Sequence, residues 1–264
     1  MRAFDHAARA TKGAREYQED SSAFWPPSDR APSDVPPTGT NTRLVAVLAD
    51  GMGGHTAGAL ASRMVCDSFV STYAGLNGNR GERLLKALSC ANDSLAAQVE
   101  ANPVLAGMGT TLVAAVFGDE GVEWVSVGDS PLLLFRRGEI ALLNEDHSLA
   151  PELDRMAELG RITVEQAKAD PRRHMLRSAV TGEDLDLVDV SRRPLALEPG
   201  DYVILASDGL QTLEHSEIER IVAAYAEDGA EAVANALIRA VEAMRDPHQD
   251  NTTVLAVRPL SVPV

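Results

Sequence analysis

The chain has 264 residues, a formal net charge of −15, 45% hydrophobic and 24% charged residues, the balance of a soluble protein and a length at the upper end of one ordinary domain, residues 1–264. The acidic excess excludes a broad nucleic-acid surface, which needs many Lys and Arg side chains to displace counterions, and an anionic membrane would repel it. No apolar run approaches the ~20 residues of a membrane span, and the charged start "MRAFDHAARATKGAREYQEDSS" has no signal-peptide core, so the expected location is the cytoplasm.

In chain order, the first informative stretch is "GAREYQEDS". Glu19 and Asp20 are adjacent acids that would point to opposite faces of a strand. Arg15 offers a planar fork suited to a phosphate dianion; a surface ion pair is its bland alternative. Residues 26–41, "PPSDRAPSDVPPTGTN", read as a surface loop. A β-branched run predicts a strand over 44–48, which leads into "VLADGMGGHTAG".

Helical spacing follows over 58–73 and 81–101. These stretches carry the only cysteines, Cys66 and Cys90, with no metal-ligand spacing, so both read as small buried hydrophobes in a reducing compartment. Strands are predicted over 110–117, 122–127 and 132–135. The polar segment 146–189 reads as a flap beside the core. A strand over 202–206, helices over 215–226 and 230–244, and a strand over 252–257 complete the chain. Helix pairs between strand groups predict helices packed outside sheets, a layered α+β protein.

Carboxylates stand at the strand ends: Asp50 in "VLAD", Asp129 in "VSVGD", Asp208 in "ILASD" and Asp250 in "QDNTTVLAV". A single Asp-Gly after a strand is ordinary turn chemistry. Four acids with few bases beside them would repel and raise one another's pKa, and a divalent cation removes that difficulty. Oxygen ligands without Cys or a His pair point to Mg²⁺ or Mn²⁺. The bare backbone at Gly51 would turn a carbonyl toward the metal and leave room for water and phosphate.

Seven stretches, "GAREYQED", "ADGMGGH", "GMGTTLVAAV", "VGDS", "DHSL", "LASDGL" and "DNTTVLAV", together resemble the bacterial metal-dependent protein phosphatases, the PPM or type 2C family. The resemblance implies a four-layer α-β-β-α sandwich, two antiparallel sheets flanked by helices. It implies two Mg²⁺ or Mn²⁺ ions bridged by Asp50, with Gly51, Asp208 and Asp250 at the first. Glu19 would serve the second, supported by Asp20, and Asp129 would join Asp208 in a third site. Arg15 would hold the substrate phosphate. The implied reaction is hydrolysis of phosphoserine or phosphothreonine by a bridging water, without a phosphoenzyme, and the implied partners are phosphoproteins of a bacterial Ser/Thr kinase.

Met52 departs from a histidine resembling the general acid in eukaryotic relatives, Lys12 from a common Asp, Pro131 from a common Arg and His174 from a common Asn. His55 reads first as packing or capping at a helix start. A non-catalytic phosphoprotein-binding regulator and a hydrolase of small phosphate compounds remain alternatives, because a two-metal centre does not choose its substrate's size.

Overall fold

The computed structural model describes residues 3–26, 42–54 and 56–260. Nearly all of the 26–41 loop, and His55, lie outside the described residues. Strands β1 (Phe4–Thr11), β2 (Asp20–Trp25) and β3 (Thr42–Met52) precede helices α1 (Thr56–Gly75) and α2 (Arg80–Ala101). Strands β4 (Gly109–Thr110), β5 (Leu112–Gly118), β6 (Gly121–Val127), β7 (Leu132–Arg136) and β8 (Glu139–Leu142) lead to short helices α3 (Ala150–Glu158) and α4 (Val164–Ala169). Then come β9 (Asp189–Val190), β10 (Tyr202–Ala206), α5 (His215–Tyr225), α6 (Ala230–Met244) and β11 (Thr252–Pro259).

One antiparallel sheet runs β1-β11-β10-β7-β8, the other β2-β3-β5-β6-β9, with β4 paired to the end of β3. Alternation along the strands assigns each side chain to a layer. On β3, Val45, Val47 and Ala49 face helices α1 and α2, where they meet Val65, Phe69, Leu84 and Leu88. The intervening Leu44, Ala46 and Leu48 face the opposite sheet and meet Val203, Leu205, Leu255 and Val257. On that sheet Ile204, Ala206, Val254 and Ala256 turn outward against Val222, Leu237 and Val241 of α5 and α6. The result is the expected α-β-β-α sandwich.

Three expectations change. Strand β3 does not stop at Asp50: Gly51 and Met52 continue it by pairing with Thr110 and Gly109 of β4. The segment 146–189 is a flap only in part. Helices α3 and α4 pack on each other, and Arg173 grips Asp154 through two 2.8 Å hydrogen bonds. Val180 is instead fully buried in the core under α1 and α2, and Asp189 opens the edge strand β9. The few apolar residues of this stretch return the chain to the sheet. Cys66 is buried as expected, but Cys90 is only half-buried.

Candidate active site

The acids converge because the strands that carry them end at one rim. Asp20, the first residue of β2, is the register partner of Asp50 on β3. Asp129 lies two residues beyond β6, Asp208 opens a 3-10 helix after β10, and Asp250 lies two residues before β11. A cleft of about 680 Å³ is lined by Arg15, Glu19, Asp50, Gly51, Asp129, Asp208 and Asp250, and its flap side carries His174.

Hydroxyl and amide groups fix this rim. The Asp50 carbonyl accepts from Thr111 N at 2.9 Å and from Thr110 Oγ1 at 2.7 Å. Asp50 N donates to Thr111 Oγ1 at 3.0 Å, and that hydroxyl also meets Ser130 Oγ at 2.7 Å, which ties β3 to the Asp129 turn. Ser207 Oγ and Thr253 Oγ1 both donate to Asp20 Oδ2, at 2.8 and 2.7 Å, bridging the two sheets. Asn251, 3% exposed, accepts from Glu19 N at 2.7 Å and donates to the carbonyls of Lys12 and Tyr17 at 3.0 and 2.9 Å. It thereby pins the 12–19 loop to the start of β11.

The structure gives two of the glycines, Gly51 and Gly209, a packing purpose as well. A Cβ on Gly51 would lie 2.2 Å from the Gly58 carbonyl oxygen and 2.6 Å from that of Glu19. Gly51 is bare because β3 and the start of α1 touch backbone to backbone. Gly209 repeats the device, since a Cβ there would lie 2.2 Å from the Asn251 carbonyl oxygen, and this close approach brings Asp208 beside Asp250.

Electrostatics set the chemistry of the rim. Burial, opposed by the two hydroxyl donors and reinforced by Asp208 and Asp250, pushes Asp20 up to about 6. Burial, then Asp208 and Asp146, pushes Asp129 up to about 7. Burial and the charges of Asp20, Asp208, Asp129 and Asp250 lift Asp50 well above the usual carboxylate range. Burial and Asp250 raise Asp208, which shares a hydrogen bond with Asp50 and feels the opposing charges of His174 and Arg15. Arg15, 53% exposed, forms an ion pair with Asp250.

Among the described residues no three His, Cys, Asp or Glu side chains already form a closed ligand set. The donors nevertheless fit a hard divalent cation. All are oxygens, their mutual repulsion is only partly relieved, and the buried Asp20 Oδ1 has no hydrogen-bond partner. Sequence reasoning gave no role to Thr110, Thr111, Ser130, Ser207, Asn251 or Thr253. Their signal was a polar group inside or beside an apolar run, which must find a partner when buried.

A family model described as protein phosphatase 2C matches residues 38–246. The chain is 37% identical over 210 residues to the serine/threonine protein phosphatase PstP of Mycobacterium tuberculosis, covering 78% of this chain and 36% of PstP. It therefore spans about a third of that relative's length. It is 33% identical over 214 residues to the serine/threonine phosphatase stp of Listeria monocytogenes, covering 79% of this chain and 78% of that one. The crystal structure of the PstP catalytic domain in complex with two manganese ions superposes with a TM-score of 0.76 at 29% identity, covering 99% of this chain and 100% of that one.

Proposed function

The chain belongs to the protein phosphatase 2C family, and from that membership we propose that it hydrolyses phosphoserine and phosphothreonine in proteins with two Mg²⁺ or Mn²⁺ ions. One observation carries the reading: buried acids that repel one another gather at one open cleft, with the unpartnered Oδ1 of Asp20 on the strand beside Asp50. Such a set is costly to keep ionised without cations and well suited to holding them.

Asp50 would bridge the two ions, with Gly51, Asp208 and Asp250 at the first and Glu19, supported by Asp20, at the second. Asp129 with Asp208 would hold a weaker third. Bound there, the ions supply an activated water and neutralise phosphate charge. The protein's own groups supply position. Thr110 and Thr111 fix the Asp50 backbone, while Ser207 and Thr253 orient Asp20. Arg15 stands at the cleft mouth, where its fork exchanges Asp250 for the substrate phosphate. We take residues 1–264 as one phosphatase domain, a reading supported by a solved relative that covers 99% of the chain.

The substrates would be products of a Ser/Thr kinase, or that kinase itself. A cytoplasmic setting is consistent with two free cysteines and with the fact that no helix among the described residues is long and apolar enough to cross a membrane. The test is phosphate release from a phosphothreonine peptide with Mn²⁺, Mg²⁺ or EDTA, for the natural chain and Asp208→Asn. We expect metal-dependent turnover that falls by about a hundredfold or more in the variant, as loss of a ligand exceeds loss of its outer support. A folded, metal-supplied chain without turnover on any phosphopeptide overturns the reading.

A further inference from the structure

Beside the cleft lies a second groove of about 420 Å³ that shares Asp129 with it. Its floor is apolar: Leu133, Leu213 and Ile218 are each 2% exposed, and Leu142 of β8, 48% exposed, forms one wall. Its rim carries Asp146 from the flap and Glu214 from the start of α5. Among the described residues neither acid has an ion-pair partner within 4.0 Å. Two bases line the groove, Arg173 and His215; Arg173 is engaged by both oxygens of Asp154, and His215 forms no ion pair within 4.0 Å among the described residues. Glu214 is exposed, and its side chain makes no capping hydrogen bond to α5.

An apolar floor beneath two carboxylates that lack an ion-pair partner within 4.0 Å among the described residues matches one side-chain chemistry best, a long aliphatic stem that ends in a cation. A purely apolar side chain would bury the acids without a partner, and an acidic one would be repelled. We propose that this groove is a subsite for a lysine or arginine of the phosphoprotein close to the phosphoresidue. Its stem lies over Leu133, Leu142 and Leu213, and its charge meets Asp146 and Glu214. The groove adjoins the cleft at Asp129, which lines both, so a peptide whose phosphoresidue sits in the cleft passes beside it. The inference rests on the phosphatase reading for its substrate, and it adds a sequence preference that a metal centre alone does not impose.

The test uses phosphothreonine peptides in which a single Arg, norleucine, Glu or Ala is walked through the flanking positions. Each is measured for kcat/KM with the full chain and Mn²⁺. Matched peptides carrying a non-hydrolysable phosphonate are measured for binding by fluorescence anisotropy. At one position Arg should exceed Ala by about fivefold, the upper range for one partly exposed ion pair. Glu214→Lys should abolish or invert that preference, and Leu142→Ser should reduce it about twofold through lost stem contact. Both variants should leave turnover of a small aryl phosphate unchanged.

A preference at no position overturns the subsite. So does a preference that survives Glu214→Lys, because it would then come from the general negative field. Norleucine equal to Arg replaces the basic occupant with an apolar one and also overturns the proposal. Arginine-dependent binding that responds to Glu214→Lys without any phosphate release keeps the subsite and overturns the phosphatase reading, so the two failures are distinct.

Discussion

A methyl group on Gly51 would collide with two backbone carbonyls, those of Gly58 and Glu19, and neither belongs to a flexible side chain. Overpacking of this kind costs about 1–3 kcal/mol. We expect Gly51→Ala to lie near the top of that range in denaturant unfolding and to weaken metal-dependent turnover, because the shift would fall on Glu19 and Asp50. Gly54 is the comparison: at φ +86° with nothing within 4 Å of a Cβ, its Ala variant should lose only the stability that added backbone strain costs, about 1–2 kcal/mol, and keep turnover. Equal losses of turnover would remove the strand-helix contact as an explanation. The acids were legible in the sequence because a carboxylate ending an apolar run is conspicuous. The purpose of Gly51 was not, because its contact comes from Gly58 across a turn and not from its chain neighbours. Hydroxyls such as Thr253 also escape notice, since threonine is at home in strands.

Every strand named from the sequence, β3, β5, β6, β7, β10 and β11, is interior to its sheet, and every longer one missed, β1, β2 and β8, is an edge. An interior strand is covered on both faces in this sandwich and reads as a continuous apolar run. An edge strand is half in water: β1, "FDHAARAT", has no fully buried residue, and β8, "EIAL", has one side chain partly covered and three exposed. The flap was legible as polar, but its return to the core through Val180 was not. This anatomy fixes how the flap can be tested. Replacing residues 150–171 with a short Gly-Ser linker removes α3 and α4, spares Val180 and β9, and should reduce turnover of a phosphoprotein by about tenfold or more while small aryl phosphate turnover stays within about twofold, since loops on a rigid scaffold carry recognition. Equal loss on both substrates would place these helices in support of the rim.

At the scale of the whole molecule, a chain of net charge −15 concentrates part of its acid where water is scarce. Asp20 at about 6 and Asp129 at about 7 stand above an ordinary 3.8. Between those limits the folded state binds more protons than the unfolded one, so unfolding free energy falls as pH rises through about 4 to about 7. In EDTA, thermal unfolding should therefore move to lower temperature across that window, and millimolar Mn²⁺ should flatten the slope by neutralising the same carboxylates. A slope unchanged by the ion would locate the destabilising acids elsewhere. Helices outside sheets were legible because helix pairs alternate with strand groups, and the four-layer order followed from the family resemblance; which strand lies beside which was not legible, since register is a long-range property. That pairing bears on synthesis. Strand β11 lies between β1 and β10 and holds β1 along its full length, from Phe4 opposite Pro259 to Thr11 opposite Thr252. A ribosome delivers Asp50, Asp129 and Asp208 well before Asp250 and Asn251, so the earliest strand must wait for nearly the latest one. Closing so long a loop is slow, and until it happens the 12–19 loop lacks the hydrogen bonds that Asn251 gives it. The acidic rim therefore gains Asp250, and the Asn251 that braces Glu19, only with the segment that begins β11.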